Sequence, residues 1–172
     1  TVLDNKIYNK GLKDFENDIE RSIKNLDYQH DSEAYKKLEE LKAMKIAADG
    51  LIRYAERHAE KVRELLKKER NPERKAELKK IADVCTHVPA HAPRDFWEAL
   101  QYYWFVHLGV IIELNPWDSF NPGRLDQHLY PFYKKGLEDG TLAKEKAKEL
   151  LELVWIKFNN QPAPPKVGVT AE

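Results

Sequence analysis

Cysteine is almost absent: the 172 residues contain one, Cys85. A lone thiol cannot close an internal disulfide, so a disulfide-stapled fold is excluded and a reducing compartment such as the cytoplasm is expected. An excess of either charge is also missing. Lys plus Arg number 29 and Asp plus Glu number 29, whereas a nucleic-acid or anionic-membrane surface would need a basic surplus. No apolar run approaches the ~20 residues that cross a bilayer; the longest, Tyr102 to Leu114, is interrupted by His107 and Glu113. There is no internal repeat. There is no glycine-rich phosphate cradle either, since "NNQPAPPKVGV" offers only Gly168. The chain opens on "TVLDNK" without methionine and closes on "GVTAE", just after a strand-like run. A strand with no successor leaves backbone groups unpaired, so a piece of a longer protein is expected.

What is present is helical periodicity, from the start to about residue 87. Ile7, Leu12, Phe15, Ile19, Ile23 and Leu26 predict a first helix capped by Asp4. A second is expected from about Ser32 to Glu69, capped by Asp31 or Ser32. Its apolar steps of three and four pass straight through Gly50, which predicts one long helix rather than two. Asn71 and Pro72 have the chemistry of a cap and a first helical residue, opening a third helix that runs to about Cys85. "THVPAHAPRDF" then reads as a loop. Pro93 is expected to open a buried helix through "RDFWEALQYYWFVHL". "GVIIEL", Gly109 to Leu114, is a β-branched run of strand length. A helix from about Arg124, a turn at "EDGT", a helix from Thr141 and a final strand in "KVGVTAE" complete the reading. The fold class is mainly α with a small β contribution. Residues 1–92 form a helical outer layer, and residues 93–172 form a strand-helix-helix-strand unit within one continuous domain.

Ligands collect where strands end, which directs attention to "ELNPWDSFNPG". Asp118 and Ser119, an acid and a hydroxyl between Trp117 and Phe120, suit a pocket with polar anchors in an apolar wall. The same residues also suit a capped turn, because Asp and Ser bond their own backbone in proline-bracketed loops. Arg124 and Asp126 could bind a carboxylate; pairing at a helix start is the simpler reading. Tyr130, Phe132 and Tyr133 around Pro131 read as core, with Pro131 near a helix end or kink. Cys85, His87 and His91 are too loosely spaced for a four-ligand centre, so no metal is expected. Cys85, last on an amphipathic helix, reads as a buried small residue rather than a nucleophile. His58 and His107 read as packing residues.

The stretch "VCTHVPAHAPRDFWEALQYYWFVHLGVIIELNPWDSFNPGRLDQHLYPFYKKGLEDG" resembles the glycyl radical enzymes, the pyruvate formate-lyase-like family, in their dehydratase and lyase branch. "EALQ", "PGRLDQHLYP" and "WIKFNNQPAPPKVGVTAE" carry the resemblance, and "AMKIAADGLIRYAERHAE" and "NPERKAELKKIADVC" extend it upstream. It covers essentially the whole chain. "NPWDSFNPG" with "NNQPAPPKVGVTA" is closer in character to hydroxyproline-dehydratase-like and isethionate-lyase-like members than to pyruvate formate-lyase itself, and glycerol-dehydratase-like members belong to the same branch.

The resemblance implies a barrel of ten strands wrapped by helices. At its centre a cysteine loop meets a glycine loop whose radical is installed by a radical SAM activating enzyme. It further implies radical cleavage of a C–O, C–N, C–S or C–C bond in a small polar substrate, no bound cofactor beyond that radical, and a homodimer in the cytoplasm. Neither catalytic loop lies within these residues, so no catalytic residue is assigned here and this portion is expected to be inactive alone. The turn before "PGR" supplies a substrate-contacting serine in glycerol-dehydratase-like members. That position matches Ser119, with Asp118 beside it and Trp117 or Phe120 as apolar wall. The alternative is a non-catalytic helical interaction module built on the Ser32–Glu69 helix.

Overall fold

The computed structural model describes residues 3–113 and 122–160. They form a 3-10 turn, Asp4–Tyr8, and six helices: α1 (Leu12–Lys24), α2 (Ala34–Lys68), α3 (Pro72–His87), α4 (Phe96–Glu113), α5 (Leu125–Glu138) and α6 (Lys144–Asn160). Among the described residues there is no strand.

The expected first helix is divided. Asp4 caps nothing; it stands inside the 3-10 turn with φ 48°. The helix proper restarts at Gly11, whose amide donates to Asp14 Oδ2 at 2.9 Å. The amides of Leu12 and Lys13 donate to the carbonyls of Pro89 and Ala90 at 2.8 and 3.1 Å. First-turn amides that have no partner within their own helix are thus satisfied by the α3–α4 loop. A Cβ on Gly11 would stand 2.2 Å from the Ala90 carbonyl oxygen, so only glycine admits this contact. The division is a tertiary event, invisible to periodicity.

α2 runs unbroken for 35 residues through Gly50, as its pattern predicts. Asp31, before the helix, accepts the Glu33 amide at 3.0 Å and pairs with Lys37. The residues α2 buries are small: Ala34, Ala48, Ala55 and Ala59, with Ile52. Its other faces carry ion pairs three residues apart, such as Lys42–Glu39, Arg53–Glu56 and Lys61–Glu64. It packs chiefly on α1 and α3. α3 starts as expected: Asn71 Oδ1 accepts the amides of Glu73 and Arg74 at 2.9 and 3.1 Å, with Pro72 in the first position.

α4 is the axis of the core. It opens at Phe96 rather than Pro93, because Asp95 Oδ1 accepts the Glu98 amide at 2.8 Å. Glu98 reaches back to the Arg94 amide at 2.7 Å and to its guanidinium. The reciprocal arrangement resembles a capping box displaced by one residue. α4 buries Phe96, Ala99, Leu100, Tyr102, Tyr103 and Val106 against Ile7, Val84, Val88, Leu129, Ala147 and Leu150. Phe105 points to a second cluster, with Ala55 and Ala59 of α2 and Cys85 of α3.

The strand expected at Gly109–Leu114 is overturned over its described part: Gly109 to Glu113 continue α4. Extending a helix already nucleated adds a hydrogen bond per residue without a new nucleus. The β-branched residues cost only ~0.5 kcal/mol each against that gain. A strand would need a ladder partner, and none exists among the described residues. Gly109 adds a reason of its own, since α2 approaches here: Leu51 Cδ1 lies 2.6 Å from where a Cβ would be. The expected strand in "KVGVTAE" lies outside the described residues.

α5 holds Pro131 in its interior. Phe132 and Tyr133 pack on the core as read, but Tyr130 is 59% exposed and is not core. The last helix starts at Lys144, not Thr141. Thr141 is held by Asp139 Oδ1, which accepts its amide at 3.1 Å and its hydroxyl at 2.5 Å, so the turn persists beyond Gly140.

Candidate functional site

The four residues assigned to substrate, Trp117, Asp118, Ser119 and Phe120, lie outside the described residues. What the structure does describe is the ground on either side of them. The segment leaves the C-terminal end of α4 and re-enters through Pro122 and Gly123 (φ 62°) into α5. At that re-entry Arg124 pairs with Asp126 at 3.4 Å, both side chains exposed. The guanidinium hydrogen bond holds the Asp126 carboxyl below its ordinary value. The two charges serve each other, in line with the simpler sequence reading.

The end of α4 from which the segment departs is an aromatic assembly. His107 is buried between Trp104, 5.2 Å away by ring centroids, and Phe158 of α6, 5.0 Å away edge-on. Tyr103 stacks beyond it at 6.0 Å. Burial pushes the His107 imidazole below the usual histidine value, which keeps it neutral at pH 7. Near the other end of α4, Lys146 of α6 sits over the Trp97 ring at 5.0 Å. Trp97 pairs with Lys146 near the start of α6 and His107 with Phe158 near its last turn, so α4 and α6 run parallel. Sequence reading treated His107 as packing, which its burial supports. It did not anticipate that α6 would supply the opposing ring. The only signal was a histidine inside an otherwise apolar helix.

Glu98 was not singled out individually either. It is wholly buried, bound to Arg94 and 3.8 Å from His87. Its legible signal was the Asp95–Glu98 spacing at a helix start. The other candidates are structural. Cys85 is buried and its thiol is pushed up to about 11 by burial, so it stays protonated at neutral pH. His87 Nε2 lies 2.9 Å from the Ala92 carbonyl, and His58 Nδ1 lies 3.0 Å from that of Tyr54. Among the described residues, no group of three or more His, Cys, Asp or Glu could hold a metal. No described helix is long and apolar enough to cross a membrane. A groove of about 570 Å³, lined by Leu26, Leu41 and Met44 with Lys36, Lys37 and Glu40, lies between α1 and the start of α2. None of its residues belongs to the aromatic assembly.

A family model described as pyruvate formate lyase-like matches residues 1–172. The chain is 51% identical over 170 residues to a trans-4-hydroxy-L-proline dehydratase of Clostridioides difficile, covering 99% of this chain and 22% of that protein. It is 34% identical over 151 residues to an isethionate sulfite-lyase of Oleidesulfovibrio alaskensis, covering 88% of this chain and 18% of the relative. Among solved structures, the hydroxyproline dehydratase of C. difficile with trans-4-hydroxy-L-proline bound superposes with a TM-score of 0.92 at 52% identity, over 95% of this chain and 21% of that one. A glycyl radical enzyme from Archaeoglobus fulgidus superposes with a TM-score of 0.83 at 35% identity, over 93% of this chain and 20% of its own. The chain thus spans about a fifth of the length of these relatives.

Proposed function

The chain belongs to the pyruvate formate lyase-like family, and from that premise we propose that it is part of a glycyl radical enzyme that eliminates a small group from a polar substrate. The observation that carries this reading is 51% identity to a hydroxyproline dehydratase across 99% of the chain. In this reading residues 1–92 are the outer helical layer, and residues 93–172 lead into a barrel and form part of the cavity wall. Hydrogen abstraction by an organic radical is supplied by cysteine and glycine loops elsewhere in the parent enzyme. Cys85, buried and protonated, does not fit that role.

The contribution of this chain is to bind and orient. The Asp118 carboxylate accepts a hydrogen bond from a substrate hydroxyl or from an ammonium group. Ser119 holds a second heteroatom. Trp117 and Phe120 exclude water, which strengthens both polar contacts. A hydroxylated cyclic amino acid is the first substrate to assay. The radical SAM activating enzyme, a homodimeric parent and a cytoplasmic setting belong to the same proposal.

The test uses the full-length enzyme. Asp118→Asn and Ser119→Ala should each lower kcat/KM about 10- to 100-fold, the size of a lost hydrogen bond to a charged or polar partner. Glycyl radical yield, read by electron paramagnetic resonance, should be unchanged. Unaltered kinetics in both variants would refute the assignment.

A further inference from the structure

The chain is neutral as a whole but not along its length. Residues 61–80 hold nine lysines and arginines against four glutamates, a surplus of five that the rest of the chain cancels. These residues close the hairpin between α2 and α3. The last residue that α2 buries is Ala59 and the first that α3 buries is Leu78. None from 60 to 77 is buried. The rise of an α-helix carries α2 ~14 Å beyond Ala59 before it ends at Lys68. Local bonds hold the tip: Glu69 accepts the amides of Arg70 and Asn71, and Asn71 caps α3.

The opposite end of the same helix shows how lysines stand on a surface that is only solvated. Lys36, Lys37, Lys42 and Lys45 each hold a carboxylate, from Glu33, Asp31, Glu39 and Glu20. At the tip the carboxylates are occupied locally, Glu64 by Lys61, Glu77 by Arg74 and Glu69 by the two amides. Lys67, Lys68, Arg70, Lys75 and Lys79 are exposed, and among the described residues no carboxylate pairs with them. The dipole of α2 accounts for Lys67 and Lys68, which stand in its last turn. It does not account for Arg70 between the helices. Nor does it account for Lys75 near the start of α3, where the dipole disfavours a cation. Like charges gathered on one projecting tip repel one another, and carboxylates brought from outside relieve that repulsion.

We propose that the α2–α3 tip docks a separate protein that presents a carboxylate-rich face. Charge complementarity selects an anionic partner, and the composition of the tip selects protein among anions. No Phe, Tyr or Trp stands between Tyr54 and Phe96, so bases have no ring to stack on. Leu65 is the one exposed large apolar side chain of the tip, too little to enter a lipid surface. Glu64, Glu69, Glu73 and Glu77 alternate with the cations. That mixed pattern opposes a continuous row of phosphates, whereas the polar rim of a protein interface accommodates it. The inference does not depend on the enzymatic reading.

The test uses the full-length parent protein and a fluorescein-labelled decaglutamate peptide, with decathymidylate and phosphatidylserine vesicles as rival probes, all at low salt. One variant combines Lys67→Gln, Lys68→Gln, Arg70→Gln, Lys75→Gln and Lys79→Gln. A control variant of equal net charge removes exposed cations that already hold carboxylates: Lys36→Gln, Lys42→Gln, Arg53→Gln, Lys134→Gln and Lys148→Gln. The tip variant should bind decaglutamate about 10-fold more weakly than the unaltered protein, and the control variant should stay within about twofold. Zero-length carbodiimide coupling on the unaltered protein, mapped by mass spectrometry, should place the peptide on Lys67, Lys68, Lys75 and Lys79. Failure to bind, equal losses in the two variants, or coupling spread evenly over the exposed lysines would overturn the proposal. So would tighter, tip-dependent binding of decathymidylate or of the vesicles, which would assign the tip to nucleic acid or to a membrane. Radical yield is read separately. A tip that binds in a protein that forms no glycyl radical would sink the enzymatic reading and leave this one standing.

Discussion

α2 and α4 teach opposite lessons about how a helix serves a fold. α2 has 35 residues, yet it contributes mainly alanines and one isoleucine to the interior. α4 has 18 residues, and it presents Phe96, Tyr102, Tyr103, Phe105 and Val106 to nearly every neighbouring element. α2 is written locally, by periodic apolar steps and ion pairs along a solvated surface. α4 is apolar on several faces, so nothing in its own sequence says which face meets which neighbour, or where it stops. Length measures self-sufficiency here, and burial measures importance to the core.

The sharpest way to break that contrast is to remove one ring. Phe105 lies between Ala55, Ala59 and Cys85, joining α2, α3 and α4. Phe105→Ala should destabilise this chain by about 3–5 kcal/mol in urea unfolding, through lost burial and the cavity left behind. Ile46→Ala, at a position of α2 that is 71% exposed, should stay within about 0.5 kcal/mol. Comparable losses at the two positions would end the distinction.

Two glycine substitutions should differ in sign. Gly11→Ala drives a Cβ to within 2.2 Å of the Ala90 carbonyl oxygen and should cost about 1–3 kcal/mol as the α3–α4 loop is displaced. On Gly50 an added Cβ meets nothing within 4 Å. Gly50→Ala should therefore stabilise by about 0.5–1 kcal/mol, through helix propensity. Thermal midpoints of both variants measure the pair.

The gentlest lever is pH. Burial holds His107 below its ordinary value, and burial with the neighbouring His87 does the same for His91. A base whose folded pKa is depressed binds more protons when unfolded. Stability should then be undiminished above about pH 6.5 and should fall as pH drops toward the depressed folded values. His91→Gln should flatten part of that decline while leaving stability at pH 8 unchanged. A decline identical to that of the parent chain would remove His91 from the account.

The legible part of this protein follows the same division. The long helix through Gly50, the Asn71–Pro72 start, the burial of Cys85 and the turn at Asp139–Gly140 were readable because each depends on residues close in sequence. The misread parts depend on distant partners. The break before Gly11 exists because Pro89 and Ala90 accept amides from α1. Gly109–Glu113 are helical because α4 is already nucleated, while their β-branched composition alone suggested a strand. Tyr130 is exposed although its neighbours Phe132 and Tyr133 face the core. Of the candidate site, the residue types at Trp117 to Phe120 were legible, as was the family resemblance. The aromatic assembly near the end of α4 was not, because Phe158 reaches His107 only once α6 lies along α4.

Sequence by itself determined the helical periods, the start marked by Asn71, the absence of a disulfide framework and the membership of the family, since each is carried by local chemistry or by a long irregular motif. Tertiary structure alone decided where α1 begins, that α4 continues through its β-branched residues, and that α6 lies parallel along α4. Those outcomes turn on backbone groups and rings brought into contact across the fold, and no period or propensity encodes such contacts.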